Sequence, residues 1–234
     1  MDNVQIEKYV TLRFYEENDI AYLTLNMPPA NKMIPEFLVE FINLVENDIP
    51  RIKAKALIIS GEGRNFSSGA DVEKLCEFIV DTCNKEGNDV PSWYKRIKQA
   101  FITIAELEIP VISVVKGCCI GSGFELAIHG HVVICEKGAL IGLPEVTFGL
   151  LPGMNGTLKS FGSMGYRKGL LFFMKGELAS VIPGQEYPFI DYVVPKGEGF
   201  NLAFEFLSFL KETGVYCSND AKDLFWKFIG SKPE

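Results

Sequence analysis

Histidine is almost missing from this chain, whose 234 residues include only His129 and His131. Two apart in an HGH turn, they lack the clustered ligands of a zinc site, and no acidic partner marks either as the base of a serine hydrolase. Ser67, Ser68 and Ser122 are therefore poor candidates for an acylated nucleophile. Cysteine is present but unorganised: Cys76, Cys83, Cys118, Cys119, Cys135 and Cys217 form no C-x-x-C pair. Cys118, Cys119 and Cys135 lie in apolar runs, as reduced core cysteines do, so neither a disulfide framework nor a metal centre is expected.

Positive charge is also short. The formal net charge is -7, so the surface as a whole repels nucleic acid and anionic membrane, and an anionic ligand needs a local basic patch. The opening MDNVQIEKYVTLRFYEEN has no basic segment followed by an apolar one, and no uncharged apolar run is long enough to span a bilayer; a cytoplasmic protein is expected. The Gly121-Ser122-Gly123 turn invites a dinucleotide reading, but Leu126 stands where the last glycine of G-x-G-x-x-G is needed, which excludes NAD by this motif.

What the chain does have is core. With 47% hydrophobic residues it has enough apolar surface for one large domain. Val10 to Phe14 and Ile20 to Asn26 alternate around Glu16-Glu17-Asn18-Asp19, predicting an antiparallel hairpin. Phe37, Leu38, Phe41, Ile42 and Val45 recur at helical spacing from Pro35 onward. Lys55 to Ser60 reads as a buried strand ending in the turn-rich GEGRNFSSGAD. Helices follow over Asp71 to Cys83 and Trp93 to Glu108, with a loop from Asn84 to Asp89 between them. Gly153 to Gly165 reads as a glycine-rich connection, Gly169 to Gly176 as a short helix, Ile190 to Val194 as a strand, and Leu202 to Lys211 and Asp220 to Ile229 as terminal helices. Strands alternating with helices make an α/β protein. Aromatics crowd the tail, from Phe200 to Phe209 and again at Tyr216, Phe225, Trp226 and Phe228, a density that suits packing against a partner subunit.

The chain is organised around residues 109–153, IPVISVVKGCCIGSGFELAIHGHVVICEKGALIGLPEVTFGLLPG. An apolar run breaks at Gly117 and turns at 121–123 into a short helical stretch carrying Glu125; a second run leads to Pro144 and Glu145. Carboxylates are almost never fully buried without a partner or a task, so two of them in core-like surroundings need a reason. Taken singly, Glu125 is an ordinary first-turn helix residue and Glu145 an ordinary turn residue.

Three segments, FSSGADVEKL at 66–75, GCCIGSGFELA at 117–127 and LPEVTFGLLPG at 143–153, resemble in order and spacing the signature regions of the enoyl-CoA hydratase/isomerase, or crotonase, family. The resemblance runs from about Val10 to about Val194. It implies a crotonase-like spiral of ββα units with a shortened C-terminal helical region, in which residues 1–194 form the thioester-binding core and 195–234 a helical oligomerisation segment. It implies a homotrimer or hexamer, and a thioester of coenzyme A as substrate with no other cofactor.

By motif match, the backbone N–H groups of Ala70 and Ser122 would form an oxyanion hole for the thioester oxygen. Glu125 would act chiefly on a water and Glu145 chiefly on the proton at Cα, the two titrating as a coupled pair. Ser68, Gly69, Val72, Ala30 and Lys32 fall at substrate-binding positions. The match implies reversible hydration of a 2-enoyl thioester, with double-bond isomerisation or thioester binding with little catalysis as alternatives. Three residues depart from the pattern. Glycine is usual where Ser122 stands, and aspartate, in a structural role, where His131 stands. Lysine is usual where Glu73 stands; Lys74 and Lys32 are the nearby cations, and a carrier-protein thioester remains an alternative to CoA.

Overall fold

The computed structural model describes residues 3–6, 9–87 and 91–213. The expected helix over Asp220 to Ile229, Cys217, and the aromatics Tyr216, Phe225, Trp226 and Phe228 lie outside the described residues, as do residues 88 and 89 of the expected Asn84 to Asp89 loop, whose first three residues instead continue a helix to Glu86.

A seven-stranded sheet forms the body. Its strands are β1 (Asn3–Ile6), β2 (Val10–Tyr15), β3 (Ile20–Leu25), β4 (Ala56–Gly61), β5 (Val111–Val115), β7 (Val132–Glu136) and β10 (Tyr192–Val194), side by side in that order. β1, β2 and β3 are antiparallel, the predicted hairpin joining the last two, and every pairing from β3 to β10 is parallel. β4 and β5 are buried at every position, as parallel strands covered on both faces must be.

Side-chain alternation divides the sheet into two faces. Leu57, Ile59, Val111, Val115, Val133 and Cys135 enter the main core. Ala56, Ile58, Ile112, Val114 and Ile134 face the other way and meet Ala203 and Leu207. Those two belong to α7 (Gly199–Thr213), which thus packs on its own sheet.

On the main face lie α1 (Pro35–Asn43), whose proline at the helix start suits the missing N–H, and α3 (Ser92–Glu106). Phe37, Leu38, Phe41 and Ile42 of α1 are buried. α3 buries Trp93, Ile97, Ala100, Phe101 and Ile104, one stripe at helical spacing. Phe41 and Phe101 join the two helices edge to face at 5.4 Å. α2 (Val72–Glu86) buries no residue completely and rests Leu75, Phe78 and Ile79 on the core.

A second, three-stranded sheet positions the site. β6 (Cys118–Ile120) and β8 (Leu140–Gly142) run parallel, and β9 (Ala179–Ser180) closes antiparallel on β8. Ser67 extends this layer through a parallel bridge to Cys119. β4, β5 and β7 of the large sheet each therefore hand the chain to a short strand or bridge and then to a turn. After β6 the turn leads into α4 (Ser122–Ala127). After β8 it leads into a 3-10 turn over Glu145–Phe148.

The expected connection from Gly153 to Gly165 is a helix instead, α5 (Gly156–Met164), followed at once by α6 (Tyr166–Lys175). Four glycines within 153–165 hide the helical period, and tertiary contacts described below hold the first turn. Among the described residues no helix is long and apolar enough to cross a membrane.

Candidate active site

The turns after β4 and β6 lie side by side beyond the carboxyl ends of the parallel strands, the usual ligand position in such sheets. Backbone bonds lock them together: Phe66 N–H to Lys116 O at 2.8 Å, Ser67 N–H to Cys118 O at 2.9 Å and Ile120 N–H to Ser67 O at 3.1 Å. Gly69 has a φ of +80°. A Cβ there would lie 2.7 Å from Ile120 O and 3.3 Å from Ser122 N, so only glycine allows Ala70 and Ser122 this close an approach. Among the described residues no protein acceptor is recorded for the N–H of Ala70 or of Ser122.

Three side chains hold this frame. Asn31 is fully buried at a φ of +49°; its Oδ1 accepts from Met27 N–H, and its Nδ2 donates to the carbonyls of Glu62, Asn65 and Phe66. Asn65 donates to Pro29 O and accepts from Cys118 N–H. Ser67 donates to Asn31 O at 2.7 Å and accepts from Gly69 N–H at 3.0 Å. Both bonds and complete burial commit the Ser67 hydroxyl to the scaffold, which removes it as a nucleophile.

The loop residues singled out in the sequence also meet here. Ser68 N–H donates to Ala30 O at 2.8 Å, and Met33 N–H to Gly69 O at 2.9 Å. Val72 opens α2 with its side chain exposed. Lys32 Nζ sits 3.4 Å from the carboxylate of Asp71, the residue that caps α2 by accepting from Lys74 N–H. That N–H, followed by the Lys32 side chain, holds the Asp71 carboxyl below its usual range. Lys32 is thus shared with Asp71 rather than reserved for a phosphate.

The two glutamates converge on the same turn. Glu125, on α4, is 1% exposed. Its Oε1 accepts from Met154 N–H and Gly156 N–H, each at 2.8 Å, and these contacts pin the start of α5. Burial pushes the Glu125 carboxyl up to about 8, with the nearby charge of Glu145 adding to the effect and the backbone bonds opposing it. Glu145 follows Pro144 in the 3-10 turn. It is half-buried, and burial raises its carboxyl as well. Its Oε1 lies 3.3 Å from the point where a Cβ on Gly121 would be, which puts it against the turn that carries Ser122.

Among the described residues, three buried polar atoms around these turns have no protein partner: Ser68 Oγ, Ser122 Oγ and Glu145 Oε2. Buried polar groups are nearly always satisfied, so unpaired ones mark where water or a ligand belongs. The arrangement offers two backbone donors and, beside them, two carboxyls inclined to keep a proton.

Both histidines are structural. His129 is buried, its Nδ1 donates to Glu125 O at 2.6 Å, and burial lowers it to about 4, so it is neutral near pH 7. His131 Nδ1 accepts from Val111 N–H and its Nε2 donates to Ala105 O, which fastens the end of α3 to the start of β5. No motif or spacing points to Tyr94, whose hydroxyl donates to Gly153 O at 3.1 Å, or to the Met154 and Gly156 amides. Only the glycine-rich run after Leu151-Pro152 hinted at a backbone site.

Comparison with known proteins bears on the family and the fold. The family model described as Enoyl-CoA hydratase/isomerase matches residues 15–225. A probable enoyl-CoA hydratase of Bacillus subtilis (strain 168) is 32% identical over 158 residues, which is 68% of this chain and 59% of that protein. A fatty acid oxidation complex subunit alpha of Shewanella loihica is 32% identical over 198 residues, 81% of this chain but 27% of that protein. The chain thus spans about three-fifths and about one-quarter of the length of these two relatives. The crystal structure of an enoyl-CoA hydratase from Bacillus anthracis superposes with a TM-score of 0.75 at 22% identity, covering 87% of this chain and 77% of that one; the fold is the same.

Proposed function

The chain belongs to the enoyl-CoA hydratase/isomerase family, and we propose that it hydrates 2-enoyl thioesters of coenzyme A reversibly at the two turns and two glutamates. The observation that carries this reading is the meeting of Glu125 and Glu145, both with raised proton affinity, beside the Gly69–Ala70 and Gly121–Ser122 turns.

In this reading the thioester oxygen accepts from the N–H groups of Ala70 and Ser122. That polarisation leaves Cβ electron-poor. Glu125 in its ionised form, which gains population as pH nears about 8, takes a proton from a water whose oxygen bonds to Cβ, and the C=C electron pair moves to an enolate whose charge rests on the held oxygen. Glu145 delivers its proton to Cα. The proton on Glu125 then returns to Glu145, so the pair begins and ends with one proton between its two carboxyls, and one water has been consumed. Losing one fixed donor of this kind costs a factor of about 10²–10³ in rate.

In this reading Ala30, Lys32, Ser68, Gly69 and Val72 are the residues that would meet the pantetheine and nucleotide of CoA. Coenzyme A enters as part of the substrate, and the reaction needs no other cofactor.

Purified protein is expected to remove the enoyl absorbance of crotonyl-CoA. Glu145→Gln is expected to lower that rate by a factor of about 10²–10⁴, the range of general acid–base catalysis. Full activity in Glu145→Gln would overturn the acid/base assignment. Conversion of a 3-enoyl thioester without any hydration of the 2-enoyl one would replace hydratase by isomerase.

A further inference from the structure

We infer that Tyr94 is a positioning residue for Glu125, acting through the peptide unit between Gly153 and Met154. The inference rests on the assignment of Glu125 to the reaction, and it concerns how that carboxyl is held.

Tyr94, in the first turn of α3, donates its hydroxyl hydrogen to Gly153 O at 3.1 Å. The other end of that same peptide unit is Met154 N–H, which donates to Glu125 Oε1 at 2.8 Å. A peptide unit is planar and rigid, with its oxygen and its N–H pointing in opposite directions. Fixing the oxygen therefore fixes the direction in which the N–H points. The hydroxyl bond also polarises the unit and makes its N–H a better donor.

The contact is specific to glycine: a Cβ on Gly153 would lie 2.8 Å from the Tyr94 hydroxyl oxygen. Trp93 meets the Tyr94 ring edge to face at 6.0 Å. Tyr94 and Glu125 also sense each other electrostatically. Burial first, and then the Glu125 charge, raise the Tyr94 hydroxyl, so it stays protonated and able to donate.

The titratable groups around Glu125 are few. Glu145 raises its proton affinity. Tyr94 approaches from α3, and His129, at the end of α4, is neutral. Lys159, on α5, acts on His129. Backbone hydrogen bonds from Gly156, then Met154, then Gly153 favour the ionised Glu125. Loosening the Met154 bond must therefore raise the proton affinity of this carboxyl and move the pH profile of the pair upward.

The test uses the full chain and two readouts. Tyr94→Phe is expected to lower kcat for crotonyl-CoA hydration about threefold to tenfold, the size of one neutral hydrogen bond. KM should change little, and the pH profile of kcat/KM should move to higher pH. Independently of turnover, the carboxyl carbon of Glu125 in isotope-labelled protein should titrate at higher pH in Tyr94→Phe than in the parent. Gly153→Ala, which displaces the hydroxyl, should move the same titration in the same direction, and it supplies the reading if Tyr94→Phe fails to fold.

A Glu125 titration unchanged in the folded variants overturns the inference. If the parent hydrates no enoyl thioester while the titration still moves, the proposed function fails and the positioning role stands.

Discussion

Replacing Glu125 by glutamine should stabilise the protein, and by much more in alkali than in acid. The side chain is 1% exposed, and its carboxyl is pushed from 4.5 up to about 8. Well below pH 4.5 the acid is protonated in the folded and the unfolded chain alike. As pH rises from there, the unfolded chain ionises while the folded one keeps its proton, so stability is lost until pH passes about 8, where the loss is complete. Integrated over that window, the penalty is about 1 kcal/mol at about pH 5.5 and about 3 kcal/mol more at about pH 9.

Glutamine carries no such penalty. Its Oε1 can still accept from Met154 and Gly156, the two amides that hold Glu125. The gain in stability of Glu125→Gln over the parent should therefore be about 3 kcal/mol larger at about pH 9 than at about pH 5.5. For a chain of this size that is roughly 6–12 °C in Tm, readable by thermal denaturation of both proteins at both pH values. Other titrating groups are common to both proteins and largely cancel. An equal gain at the two pH values, or a loss in alkali, would refute the claim that this carboxyl is buried with a raised proton affinity.

Two further outcomes follow from the same contacts. A methyl at Gly123 would sit 2.6 Å from Ser67 Cβ and 2.8 Å from Ser67 O, so Gly123→Ala should wedge α4 away from the 67–70 turn. Overpacking of this kind costs about 1–3 kcal/mol, and urea denaturation should read that loss together with a fall in kcat/KM; unchanged values of both would contradict the close approach. Phe148, Leu151, Leu158, Tyr166, Leu171 and Met174 are each more than half exposed along the 3-10 turn, α5 and α6, apolar surface of the sort that a second copy of the chain covers. Light scattering should find an oligomer, which charged substitutions at Leu158 and Leu171 dissociate; a monomeric parent would contradict this.

Much of the body was legible in the sequence because its elements are long enough to show a period. The Phe37/Leu38/Phe41/Ile42 stripe and the run at 111–115 lie where their patterns put them. β6, β8 and β9, with three, three and two residues, are too short for alternation to appear. The sequence pattern puts a connection where α5 lies because its glycines suppress any helical signal, and its first turn depends on Glu125, 31 residues earlier in sequence.

Motif matching brought Ala70, Ser122, Glu125 and Glu145 together, and the structure adds the reason that they can meet: Gly69, Gly121 and Gly123 remove the side chains that would keep the turns apart. Ser67, a hydroxyl beside the same loop, proved to be scaffold, because only three dimensions reveal its bonds to Asn31 and Gly69. Tyr94 lies 59 residues before its acceptor, Gly153, and nothing in its own helix distinguishes it from a packing residue.

The most direct test is a crystal structure with an unreactive 2-enoyl-CoA analogue bound. The thioester oxygen should lie about 3 Å from the amide nitrogens of both Ala70 and Ser122, with Cβ toward Glu125 and Cα toward Glu145. An oxygen held by neither amide, or carboxyls that open away from the acyl chain, would contradict the account.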